Sequence, residues 1–114
     1  MKLDIKTTKG TGLTDALRDF LQAQMDGLDP LVARFGESVT AEAEVGRPSG
    51  HHLKGDIQRA EVHVRLPGKL VYAEASGEDP YAVIREAVKE AARQIKDYRG
   101  VLAGRHRGAA RGKE

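Results

Sequence analysis

The stretch from 60 to 75 constrains the fold most, because a two-residue turn at its centre fixes the register on both sides. Pro67-Gly68 suits the middle of a type II turn: proline presets the first φ, and glycine accepts the positive φ the second position demands. Reading outward, Leu66 opposes Lys69, Val64 opposes Val71, Val62 opposes Ala73 and Ala60 opposes Ala75. On the other face Arg65 opposes Leu70, His63 opposes Tyr72 and Glu61 opposes Glu74. One face is small and apolar and the other mixed and polar, the pattern of an antiparallel hairpin covered on one side only. The opposed glutamates call for a neighbouring cation, which Arg59 or Arg65 can supply. Such a hairpin needs a second layer over its apolar face.

Two helices can provide it. Leu13, Leu17, Phe20, Leu21, Met25 and Leu28 recur at three- and four-residue spacing behind Thr14, a good N-cap, and Asp15 in the first turn. Asp29-Pro30 should end or kink this helix, with Leu31, Val32 and Phe35 supplying a further turn. A second helix starts from Asp79 as N-cap with Pro80 at its first position, and Gly100 suits its stop. Two more strands complete the set: residues 2–7, with Leu3 and Ile5 on one face, and a run through Val39, Ala41, Ala43 and Val45. The order strand, helix, three strands, helix predicts an α+β two-layer sandwich, β-α-β-β-β-α, with two helices on one face of a four-stranded sheet. Residues 1–99 form the expected domain. Residues 100–114 read as a flexible basic tail, and the glycine-rich stretch 46–56 reads as a loop.

With 114 residues the chain suits a single core. It has no cysteine, hence no disulfide, thiolate metal site or cysteine nucleophile. There is no apolar run of about 18 residues for a membrane span, and the Met1-Lys2-Leu3-Asp4 start has no stretch resembling a secretory signal. A soluble cytoplasmic domain is expected. The net charge is only +2, but residues 1–84 carry 10 basic and 13 acidic side chains, whereas residues 85–114 carry 9 basic and 4 acidic. Five of those nine basic side chains lie on the last helix. Taking Arg85 as origin at about 100° per residue, Lys89, Arg93, Lys96 and Arg99 fall within about −40° to 80°. Tyr81, Ile84, Val88, Ala91, Ile95 and Tyr98 fall on the core side, and Glu86, Glu90 and Asp97 form a narrow acidic edge. Arg105, Arg107, Arg111 and Lys113 continue the positive charge.

A stripe of this kind can follow a phosphate backbone and release counterions from it. The ordinary alternative is a solvated rim, with aliphatic stems covering the core edge and Glu86 or Glu90 pairing with Arg93 or Lys89. His51, His52, Asp56 and His63 are the cluster that hints at a metal or at acid–base catalysis. Their spacing carries little geometric information, and no HExxH, Walker-type loop or GxSxG is present. An enzyme is therefore not expected, and neither a cofactor nor a metal is called for. A base-stacking platform needs exposed aromatics, and only Tyr72 falls on the open sheet face. Backbone and shape recognition of structured RNA fits better.

The stretches Gly55-Asp56-Ile57-Gln58-Arg59-Ala60-Glu61-Val62, Leu66-Pro67-Gly68-Lys69, Ala73-Glu74-Ala75, Gly77-Glu78-Asp79-Pro80-Tyr81 and Arg93-Gln94-Ile95-Lys96 with Tyr98 together resemble the ribosome hibernation-promoting factor family. That family includes the ribosome-associated inhibitor and was once called sigma-factor modulation protein. The resemblance spans residues 1–99. It implies a fold similar to double-stranded-RNA-binding domains. It also implies binding to the small ribosomal subunit and its rRNA, in the channel that holds messenger and transfer RNA. Translation would be blocked there and idle ribosomes stabilised under stress or in stationary phase, without catalysis. The family's rRNA-facing basic positions carry over to Arg93, Lys96 and Arg99, and to Arg18. The expected RNA-binding set is Arg85, Lys89, Arg93, Lys96, Arg99, Arg105, Arg107 and Arg18. Glu90 and Asp97 stand where the family commonly has lysine. The extra C-terminal domain of long members is missing, so ribosome dimerisation by this chain alone is not expected. Two alternatives remain: a general structured-RNA binder outside the decoding channel, and a metal-binding or catalytic protein using His51, His52 and His63.

Overall fold

The computed structural model describes residues 1–7, 14–46 and 57–111, with side chains through Gly104. Its elements are β1 (Lys2–Thr7), α1 (Asp15–Asp26), a one-turn helix α2 (Asp29–Val32), a 3-10 segment (Ala33–Ser38), β2 (Thr40–Gly46), β3 (Gln58–Leu66), β4 (Lys69–Gly77) and α3 (Pro80–Arg111). The strands form one sheet in the order β1-β2-β3-β4. β1 runs parallel to β2, while β2–β3 and β3–β4 are antiparallel. The parallel pair needs a crossover, which α1 and α2 supply. This is the predicted β-α-β-β-β-α arrangement.

Local chemistry sets each boundary. The Thr14 hydroxyl accepts the Leu17 N–H at 3.1 Å and caps α1. Pro30 lies in the first turn of α2, so the chain kinks after α1 and resumes as a new helix. The register around Pro67-Gly68 matches the expected one, from Leu66↔Lys69 out to Ala60↔Ala75. Gly68 has φ of 80°, the value a type II turn requires at that position. An Asp79 carboxylate oxygen accepts the Tyr81 N–H at 2.9 Å at the start of α3.

The core lies between the sheet and the helices. Leu21, Met25 and Leu28 descend from the α1 side, and Ile84 and Ile95 from α3, each almost fully buried. Burying each such side chain contributes about 1.5–3 kcal/mol. Against them lie Val39, Val45, Val62, Val64 and Val71 with the small residues Ala41, Ala43, Ala60 and Ala73. Small side chains on the sheet and Ala87 and Ala91 on α3 let helix and sheet approach closely.

One boundary differs from expectation. Helix α3 does not stop at Gly100 but continues to Arg111. Gly100 lacks the positive φ of a helix-ending glycine, and it sits in open space with nothing nearby for a side chain to meet. The extension carries Gly100, Gly104 and Gly108, each roughly 1 kcal/mol worse than alanine in a helix, with the good helix formers Leu, Ala and Arg between them. From Arg99 to Gly104 no α3 side chain is buried, so this part extends past the core. The stretch 47–56, His51, His52 and Asp56 included, lies outside the described residues. Among the described residues no helix is long and apolar enough to cross a membrane.

Candidate nucleic-acid interface

Helix α3 has the three sectors its sequence implies. Ile84, Ala87, Val88, Ala91 and Ile95 are buried against the sheet, while Arg85, Lys89, Arg93 and Lys96 are exposed. Each cation has a different setting. The Arg85 guanidinium lies 5.9 Å from the Phe20 ring centre, and Phe20 meets Tyr81 edge-on at 5.0 Å, so Arg85 leans toward α1. Arg99 is half-buried, and its Nε is enclosed without a hydrogen-bond partner. Arg18 is exposed on α1. Among the described residues Lys89, Lys96 and Arg18 form no ion pair. The backbone of Arg105 and Arg107 is helical, and their side chains lie outside the described residues.

Arg93 is held by two carboxylates. Its Nη2 and Nε donate to the two Glu90 oxygens at 2.6 and 3.0 Å, and its Nη1 donates to Asp97 Oδ2 at 2.7 Å. These charge-assisted bonds pull the Glu90 carboxyl down to about 2, with Arg93 the larger cause and Gln94 the second. The Arg93 guanidinium is raised in turn, chiefly by Glu90. The spacing left Glu86 and Glu90 open as partners of Arg93; it takes Glu90 and, unforeseen from the sequence, Asp97.

Gln94 was not singled out from sequence, yet it joins α3 to the sheet. Its Nε2 donates to the Tyr72 carbonyl at 2.7 Å and to Glu90 Oε2 at 3.0 Å, while its Oε1 accepts the Tyr72 N–H at 3.3 Å. One side chain thus occupies both outward backbone groups of Tyr72 on edge strand β4, where unpaired groups would invite another strand. Beside it runs a groove of about 680 Å³, walled by Glu74 and Ala75 on one side and by Glu86, Lys89, Glu90 and Lys96 on the other.

The open face of the sheet behaves differently. Arg59 bridges the opposed glutamates, reaching Glu61 at 3.1 Å and pairing with Glu74. Tyr72 Oη donates to Glu74 at 2.9 Å, and His63 packs edge-on against Tyr72 with ring centres 4.7 Å apart. The Glu74 carboxyl is lowered, first by the Arg59 hydrogen bond and then by Tyr72. Tyr72 is raised, first by desolvation and then by its bond to Glu74. His63 Nε2 stands 3.5 Å from Glu61. Among the described residues no three His, Asp or Glu side chains are grouped to hold a metal ion. The Tyr72 hydroxyl is thus tied into a polar network, while the residue stays 38% exposed beside His63.

The family model described as sigma 54 modulation protein / S30EA ribosomal protein matches residues 5–102. Among solved structures, the N-terminal domain of Thermus thermophilus Protein Y is 28% identical, with a TM-score of 0.66 over 86% of this chain and 99% of that one. A ribosomal subunit interface protein from Coxiella burnetii is 18% identical and shares the fold, with a TM-score of 0.68 over 88% of this chain and 99% of that one. No curated protein sequence matches significantly.

Proposed function

This chain belongs to the sigma 54 modulation protein / S30EA ribosomal protein family, and we propose that it binds the small ribosomal subunit in the cytoplasm through the basic stripe of α3. The observation that carries this reading is the row of exposed cations Arg85, Lys89, Arg93 and Lys96 on one helix, with Lys89 and Lys96 unpaired among the described residues. An unpaired lysine exchanges its counterion for an RNA phosphate without breaking an internal contact. Arg99, Arg105, Arg107 and Arg18 extend the contact.

The bound domain occupies the channel that otherwise holds messenger and transfer RNA. Translation stops because the space is filled, and the idle ribosome is stabilised. No bond is made or broken, so binding strength and shape carry the whole effect. Four or five contacted phosphates give a slope of roughly −3 to −4.5 for log affinity against log salt.

The test is Lys89→Glu combined with Lys96→Glu. Both side chains are exposed, so the fold persists, which far-UV circular dichroism checks. Affinity for purified small subunits should fall about tenfold or more, and the salt slope should become shallower by about 1.8, two contacts at 0.9 each. Unchanged affinity and slope would remove α3 from the interface.

A further inference from the structure

Arg93 lies on the basic stripe between Lys89 and Lys96, yet it is the cation already held by two acids. Its three nitrogens face carboxylate oxygens at 2.6–3.0 Å, the positions that phosphate oxygens would take in a bidentate contact. Exposed pairs of this kind add little to fold stability, so their value to the fold is small. Glu90 is also restrained: Gln94 holds its Oε2 at 3.0 Å while gripping the Tyr72 backbone of β4. The acid on the helix is thereby tethered to the sheet.

We propose that Glu90 and Asp97 form a carboxylate gate on Arg93 that sets which RNA surface the helix accepts. This rests on the binding reading above and deepens it. Lys89 and Lys96, ungated, attract any phosphate. Arg93 joins only where the RNA presents phosphates densely enough to displace both carboxylates together, as a folded rRNA surface can. A regular duplex holds its phosphates at one fixed spacing, and where that spacing does not match the two carboxylate positions, Arg93 stays engaged with its acids and the RNA meets their negative charge. Attraction and discrimination are thus divided between neighbouring residues of one stripe.

The experiment compares wild type, Glu90→Gln with Asp97→Asn, and Glu78→Gln with Glu86→Gln. The last pair removes the same two charges from residues that form no ion pair with Arg93. Affinities for purified small subunits and for a short duplex RNA are measured at one salt concentration. Opening the gate should raise duplex affinity about tenfold, the gain of a further phosphate contact, and raise subunit affinity less than about threefold. The control pair should raise both by the same small factor. A gate variant that keeps wild-type selectivity, or that matches the control, overturns the gate and leaves subunit binding standing. A wild-type protein that fails to bind subunits overturns the binding reading, and the gate falls with it.

Discussion

Gly68→Ala probes the contact that ties the hairpin turn to α3. Two costs arise at one atom. Gly68 has φ of 80°, and an L side chain in that region costs about 1–2 kcal/mol. The added Cβ would also stand 2.8 Å from the Tyr98 hydroxyl, which donates to the Pro67 carbonyl at 2.9 Å. Displacing that hydroxyl forfeits a hydrogen bond of about 1 kcal/mol. The sum is about 2–3 kcal/mol, or a melting shift of about 4–8 °C per kcal/mol for a domain near 100 residues. Tyr98→Phe alone should cost about 1 kcal/mol, while its ring keeps the stack on Phe35 at 6.1 Å. In the Tyr98→Phe background Gly68→Ala should cost only the backbone part, leaving a coupling of about 1 kcal/mol. Urea unfolding of the four proteins measures this, with unchanged m-values confirming that only stability moved. Strict additivity would refute the close approach, and a Gly68→Ala cost under about 0.5 kcal/mol would refute the conformational requirement.

Ile95→Ala should destabilise by about 3–4 kcal/mol, since truncation leaves a cavity beneath α3, where the wild-type side chain is fully buried; urea unfolding measures it. The Glu90 carboxyl, followed by NMR, should titrate near 2 and move up toward 4.5 in Arg93→Gln. Its folded pKa is depressed, so the ion pair supports the fold fully above about pH 4.5 and loses that support as pH falls toward 2. A Glu90 titration that Arg93→Gln leaves unmoved would show that the pair does not form in solution.

The hairpin was legible residue by residue because a two-residue turn leaves a single register, and period-two alternation says which face is buried. The same register called for a cation beside Glu61 and Glu74 and left Arg59 and Arg65 open; the structure uses Arg59. The end of α3 was not legible, since the sequence contains Gly100 but does not reveal its φ; a glycine ends a helix only where the chain turns left-handed there. The functional stripe was half legible. Helical periodicity put Arg85, Lys89, Arg93 and Lys96 on one exposed face, whereas the choice of Glu90 and Asp97 as partners of Arg93 depends on rotamers. Gln94 was legible only as part of the family-like Arg93-Gln94-Ile95-Lys96 run; its contact gave no signal, because an amide on a helix flank looks the same whether it meets water or a strand edge. Its bond to Tyr72 spans 22 residues of sequence, a separation no local pattern encodes.

Binding to the small subunit is read by co-sedimentation with purified subunits, at two salt concentrations and against excess duplex RNA. Saturable binding near one copy per subunit is expected, surviving the competitor and weakening with salt at a slope of roughly −3 to −4.5. Binding that the competitor erases, or no binding at the lower salt, would contradict binding to the small subunit.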